Sequence, residues 1–127
     1  MKLAAGNWKM NGLGSNLGEV QRLIAAIGDP KCQVLICPPA TLIDRMSILA
    51  LDTPLHVGSQ DCHAKTSGAH TGDVSAAMLA NAGASYVIGA ANPSGDALKG
   101  SNCCAKPPTP MIPLPRDFQD FLRLLNA

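Results

Sequence analysis

Apolar and polar positions fall into four short buried runs separated by three amphipathic stretches. Leu3 to Gly6 are small or apolar and give way abruptly to Asn7. After its first residue, Gln33 to Cys37 is a continuous apolar run, as expected of a strand buried on both faces, and Pro38-Pro39 break it. Leu55 to Gln60 and Ser85 to Ile88 read as the third and fourth strands. Between the first two strands, Leu17, Val20, Leu23, Ile24 and Ile27 recur at helical spacing. Asn16 with Glu19 predicts a capping box at the start of that helix, and Gly28-Asp29-Pro30 predicts its stop. Thr41 is expected to cap a second helix that turns Leu42, Ile43, Met46 and Leu49 inward and ends at Thr53-Pro54. Ser75 is expected to cap a third helix through Met78 and Leu79, stopped at Gly83.

Strands beginning near residues 3, 33, 55 and 85, with one helix between each pair, form a βα repeat. Right-handed crossovers lay such helices on one side of a curling parallel sheet. From Gly89 onward the pattern changes. Pro93, Pro107, Pro108, Pro110, Pro113 and Pro115 interrupt the remaining chain, with glycines and the pair Cys103-Cys104 between them. Such a stretch sustains neither internal strands nor long helices. Within it, Phe118, Phe121, Leu122 and Leu125 make an i, i+3, i+4, i+7 stripe. That stripe reads either as one short helix covering apolar surface or as an accident of composition.

The chain of 127 residues is one domain's worth, and its hydrophobic content of 46% is ordinary for a globular protein. A formal net charge of +1 leaves no electrostatic footprint for nucleic acid or an anionic membrane. Aromatics at 3% offer no base-stacking platform. No apolar run approaches the length of a membrane span, and only three short apolar residues separate Lys2 from Gly6, so no signal peptide is read here. Five cysteines form no even framework, and a cytoplasmic setting with reduced thiols is expected. Cys62, His63, Cys103 and Cys104 can be drawn as a zinc site but lack paired CxxC spacing. No metal ligand and no cofactor is therefore assigned.

The candidate chemistry lies at the end of the first strand. Asn7 and Lys9 are two apart, so on an extended chain both side chains share one face. An amide and an ammonium at the carboxyl end of a parallel strand suit a small anionic, oxygen-rich ligand, because α/β sheets bind theirs there. The alternative is an ordinary solvated strand end.

The run Gly6-Asn7-Trp8-Lys9-Met10-Asn11-Gly12 resembles the first strand and loop of triosephosphate isomerase. A second stretch, Gly58-Ser59-Gln60-Asp61-Cys62-His63 continuing to Gly68-Ala69-His70-Thr71-Gly72-Asp73-Val74-Ser75-Ala76-Ala77-Met78-Leu79, is similar to that family's third strand and long loop. The resemblance covers Met1 to about Ile88. It implies an incomplete (β/α)₈ TIM barrel of about three and a half βα units over residues 1–88, since a whole barrel takes about 250 residues. Residues 89–127 form a tail without resemblance, for which a shifted reading frame is one expectation.

The resemblance implies roles for Asn7 and Lys9 in binding dihydroxyacetone phosphate or glyceraldehyde 3-phosphate, and a dimer contact for Thr71 in the partner subunit's site. It also implies a glycolytic and gluconeogenic isomerase that works as a homodimer without a cofactor. Two residues depart from the family pattern: His70 stands where an aromatic is usual and Asp73 where a glutamate is usual. The family's reaction needs a carboxylate base and a neutral histidine, this family being a type case of that pairing. The histidine should follow the fourth strand in a Gly-His-Ser-Glu-Arg type run, where this chain has Gly89-Ala90-Ala91-Asn92-Pro93. Neither His63 nor His70 falls at that place, and no residue can be named as the base. The chain is therefore expected to be inactive alone and to self-associate through the Thr71 loop and its open sheet edges. The alternative is a non-catalytic half-barrel that acts only through association.

Overall fold

A computed structural model describes residues 2–89. Four parallel strands lie in the order β1-β2-β3-β4: β1 (Leu3–Asn7), β2 (Gln33–Cys37), β3 (Leu55–Ser59) and β4 (Tyr86–Val87). Three helices connect them: α1 (Leu17–Ile27), α2 (Ile43–Leu49) and α3 (Ala76–Asn81). The register sets Ala4 beside Val34, Val34 beside Leu55, and Gly58 beside Tyr86. The three and a half βα units read from the sequence are thus present.

Alternation along each strand splits the sheet into two faces. Ala4, Val34, Ile36, Leu55 and Val57 meet the helices, where Val20, Leu23 and Ile27 of α1, Ile43 and Met46 of α2, and Leu79 of α3 are buried against them. Burying one such aliphatic side chain stabilises the fold by about 1.5–3 kcal/mol, so this face holds the sheet and helices together. Ala5, Leu35 and Cys37 form a smaller cluster on the other face, with Leu3, Tyr86 and Ile88 packed against it. Burial alone pushes the Cys37 thiol up from 9.0 to about 12.

The strand boundaries fall close to expectation, although β3 ends at Ser59 and β4 spans only Tyr86–Val87. Two helix starts differ. Asn16 does not cap α1; it closes a 3₁₀ turn (Gly14–Asn16), where its Oδ1 accepts the Leu13 N–H at 2.8 Å. Glu19, freed from a capping box, pairs with Arg22 one turn on. Thr41 likewise sits inside a 3₁₀ turn (Ala40–Leu42), and the proline pair sets the entry to α2. In both places a tighter turn precedes the helix and takes over the work of starting it.

Ser75 does cap α3, its Oγ accepting the Met78 N–H at 3.3 Å. Gly83 (φ +93°) ends that helix at a point where a Cβ would strike the Ser47 side chain. Ser47 Oγ lies 2.8 Å from the carbonyls of both Asp44 and Ala82, between which its one proton is shared, and so ties α2 to the end of α3. The Phe118-to-Leu125 stripe, the Cys103-Cys104 pair and the boundary proposed near residue 89 all involve residues outside those described.

Candidate active site

β1 delivers Asn7 to the carboxyl end of the sheet on the same face as Leu3 and Ala5, away from the helices. The strand stops there because the Asn7 side chain folds back on the chain: its Oδ1 accepts the Lys9 N–H at 2.7 Å. Lys9 consequently adopts φ +53°, in the left-handed region. The extended-chain reading of Asn7 and Lys9 on one face is therefore corrected. Lys9 stands in the loop after β1, placed by an Asx-type turn rather than by strand alternation. Left-handed backbone is unfavourable for a non-glycine residue, so this conformation needs support from its surroundings.

Gln60 supplies that support. Its Nε2 donates to the Lys9 carbonyl at 2.7 Å and to the Cys37 carbonyl at 3.0 Å. The Cys37 carbonyl also accepts the Trp8 N–H at 3.0 Å. One amide thus joins the loop after β1 to the end of β2 from a position just past β3. On the outer side, Asn11 Nδ2 donates to the Trp8 carbonyl at 3.0 Å. Gly12 (φ +107°) lies so close to the Trp8 ring that a Cβ there would stand 2.7 Å from it.

These hydrogen bonds leave two groups for a ligand. The Lys9 ammonium is in no ion pair among the described residues, and Lys9 is exposed. The Asn7 amide nitrogen has no hydrogen-bond partner among them. The pair offers one full positive charge and one neutral N–H₂ donor at the carboxyl end of a parallel sheet. A cavity of about 340 Å³ lies at the opposite, amino end, lined by residues that include Leu51, Leu55, His56 and Ser85. It contains neither member of the pair.

Thr71 sits exposed on the loop between β3 and α3, and no hydrogen bond among the described residues links it to Asn7 or Lys9. The three histidines lie elsewhere than after β4, where the described chain runs Ile88-Gly89. His56 stacks edge-on against Tyr86, with ring centroids 5.7 Å apart. His63 and His70 stack on each other in the β3–α3 loop, with centroids 4.1 Å apart. Sequence reasoning missed Gln60 as a supporting group. The signal was present, because Gln60 is a polar residue at the end of a buried strand, as Asn7 is.

A sequentially ordered parallel sheet, with helices on one face and polar groups at its carboxyl end, defines part of a βα-barrel enzyme scaffold. The family described as triosephosphate isomerase matches residues 2–89. The triosephosphate isomerase of Jannaschia sp. (strain CCS1) is 62% identical over 87 residues, covering 68% of this chain and 35% of its own. That of Ruegeria sp. (strain TM1040) is 61% identical over 87 residues, with the same coverage of 68% and 35%. A crystal structure of triosephosphate isomerase from Bartonella henselae superposes with a TM-score of 0.65 at 45% identity, covering 68% of this chain and 36% of that one. The chain belongs to the triosephosphate isomerase family. It spans about a third of the length of the relatives it matches.

Proposed function

We propose that this chain binds a triose phosphate through Lys9 and Asn7 but does not isomerise it by itself. The observation that carries this reading is the Gln60 bridge. It anchors the loop that carries Lys9, in a left-handed conformation, at the carboxyl end of the sheet, and the Lys9 ammonium is in no ion pair among the described residues. The Lys9 charge would pair with the phosphate and with negative charge developing on the enediolate, and the Asn7 amide would donate to a substrate oxygen. Proton transfer needs more. A carboxylate must take the carbon-bound proton and a neutral histidine must polarise the carbonyl; the histidine expected after β4 is replaced by Gly89-Ala90-Ala91-Asn92-Pro93 in this sequence, and no residue here is assigned as the base.

The same reading treats residues 89–127 as a separate tail. A shifted reading frame there is tested by resequencing the coding DNA: an intact family frame supports the shift, and its absence overturns it. The setting proposed is glycolysis and gluconeogenesis in the cytoplasm. Its support is membership of the triosephosphate isomerase family.

The test is an isomerase assay on the 127-residue chain together with calorimetric binding of dihydroxyacetone phosphate. Saturable binding without turnover is expected. Turnover at a thousandth of a typical kcat of about 10 s⁻¹ would overturn the inactive reading. Absence of binding would overturn the site.

A second reading, association with a partner or a second copy, is favoured by the exposed loop carrying Thr71 and by the edges at β1 and β4 of the described sheet.

A further inference from the structure

The loop between β3 and α3 is closed at its base by its own backbone. The His63 N–H donates to the Val74 carbonyl at 2.9 Å, and His63 pairs with Ser75 in a parallel bridge. Near its far end a turn brings the Asp73 N–H to the His70 carbonyl at 3.1 Å. Two independent constraints thus bring His63, His70 and Asp73 together, although they are spread over eleven positions of chain. One ligand atom from each of the three lies within 4.8 Å of the others. His63 Nε2 faces Asp73 Oδ2 at 3.8 Å, and the two imidazoles stack with an interplanar angle of 31°. They line a cavity of about 100 Å³, large enough for an ion with a water molecule.

We propose that His63, His70 and Asp73 form a binding site for a divalent transition-metal ion of the zinc class. Two imidazoles and one carboxylate suit zinc, cobalt, nickel or copper, whereas calcium and magnesium take oxygen ligands. Around zinc at about 2.0–2.1 Å, tetrahedral donors stand roughly 3.4 Å apart. The three ligand atoms therefore need to draw in by little more than 1 Å, and the two rings must unstack so that both lone pairs point at the ion; side-chain rotation of the half-buried His70 and the exposed Asp73 supplies both. A water molecule completes the shell. Thr66 and Ser67, on the same cavity wall, can hold that water by hydrogen bonds.

Two features oppose binding and limit its strength. Lys65 also lines the cavity, and its charge repels a cation. Its side chain is long and exposed, so the ammonium can withdraw into water. Its backbone N–H donates to His63 Nδ1 at 3.1 Å, which leaves the imidazole proton on Nε2. Binding at Nε2 moves that proton to Nδ1 and releases the Lys65 N–H to solvent. No net proton leaves His63, and one exposed hydrogen bond is exchanged for a metal bond.

The experiment is a Co²⁺ titration of the whole chain, followed by absorption and repeated with Zn²⁺ in competition. The expected result is saturable d–d absorption, removed by zinc, with no thiolate-to-cobalt charge-transfer band. That last readout separates this site from any formed by the five cysteines. His70→Phe keeps a ring in the stack but removes a ligand. Asp73→Asn keeps the size of an exposed side chain, so it serves if the first variant fails to fold. Loss of a ligand costs at least as much as loss of an outer partner, so each variant should weaken Co²⁺ binding by roughly tenfold or more. Absorption no stronger than that of the free ion, a thiolate band in the bound form, or unchanged affinity in a folded variant would each overturn the proposal.

Discussion

Gln60 and Lys9 are 51 residues apart in the chain, yet the Gln60 amide donates to the Lys9 carbonyl at 2.7 Å. The same nitrogen reaches the Cys37 carbonyl, so the loop that presents the Lys9 ammonium is anchored from two neighbouring strands. Both contacts need a donor at that position. Gln60→Ala should lower stability by about 1–3 kcal/mol, from two lost hydrogen bonds worth roughly 0.5–1.5 each. Gln60→Glu should be worse, because it aims a carboxylate at two carbonyl oxygens. Urea denaturation of the two variants decides it: equal or reversed losses mean the bridge does not hold the loop.

Lys9→Ala should weaken dihydroxyacetone phosphate binding by about 10- to 100-fold, the worth of a charge-assisted hydrogen bond. Asn7→Ala should weaken it less directly, by removing both the ligand donor and the acceptor for the Lys9 N–H. Calorimetry at two ionic strengths checks the origin of the effect. The affinities of wild type and Asn7→Ala should fall steeply with added salt, and that of Lys9→Ala should not, since only Lys9→Ala removes the charge.

How much of this was legible in the sequence differs between the frame and the site. The strands were readable because two-sided burial leaves a continuous apolar run, as in Val34 to Cys37. The helical faces were readable from Val20, Leu23 and Ile27 for the same reason. Helix starts were less so, since Asn16 and Thr41 are good caps that entered 3₁₀ turns instead. Side-chain polarity at those positions does not separate the two outcomes. The Lys9 backbone was beyond reach, because its conformation depends on an amide donated from Gln60. The cluster of His63, His70 and Asp73 was missed similarly, as its spacing matches no ligand motif and only loop closure brings it together.

Gly83→Ala should destabilise the fold by about 1–3 kcal/mol. The backbone there is left-handed and the new methyl would overlap Ser47, which is held by its bonds to the Asp44 and Ala82 carbonyls. Ser47→Gly has its own cost, from the lost tie to the Ala82 carbonyl and from a glycine inside α2, so the double variant should lose less than the sum of the two single losses. Thermal unfolding of the two single variants and the double variant closes that cycle, and losses that simply add would mean that overlap is not the cause.

Cys37 should resist alkylation in the folded chain at mildly alkaline pH, while the half-buried Cys32 reacts. Burial raises the Cys37 pKa to about 12, so its thiolate, the reactive form, is scarce. The same shift gives a sign for stability. Below the ordinary value of 9.0 both folded and unfolded states keep the proton, and the contribution is complete. As pH rises from 9.0 towards 12 the unfolded state loses its proton first, and that stability is lost. Comparing wild type with Cys37→Ala across this range by urea denaturation isolates the effect. A difference that grows in favour of wild type would contradict it.

In dilute solution the chain should associate rather than remain a single compact monomer, because β1 and β4 are the outer strands of the described sheet and the Thr71 loop is exposed. Light scattering gives the mass directly. A single species at 13.1 kDa with cooperative thermal unfolding would show that the edges are closed within one chain.

The strand order β1-β2-β3-β4 also bears on how the chain reaches this state. Each strand pairs with the one made immediately before it, so no pairing among the described residues waits for a distant part of the sequence. During synthesis, which runs from the amino terminus at about 5–20 residues per second, β2 would emerge to find β1 already available as a template. Each later strand would find its neighbour in the same way. Parallel pairing is slow by folding standards, but synthesis at that rate leaves about a second or more between one strand and the next for a unit to dock. On that account the order of manufacture would be the order of assembly, with the last strand added as the growing edge.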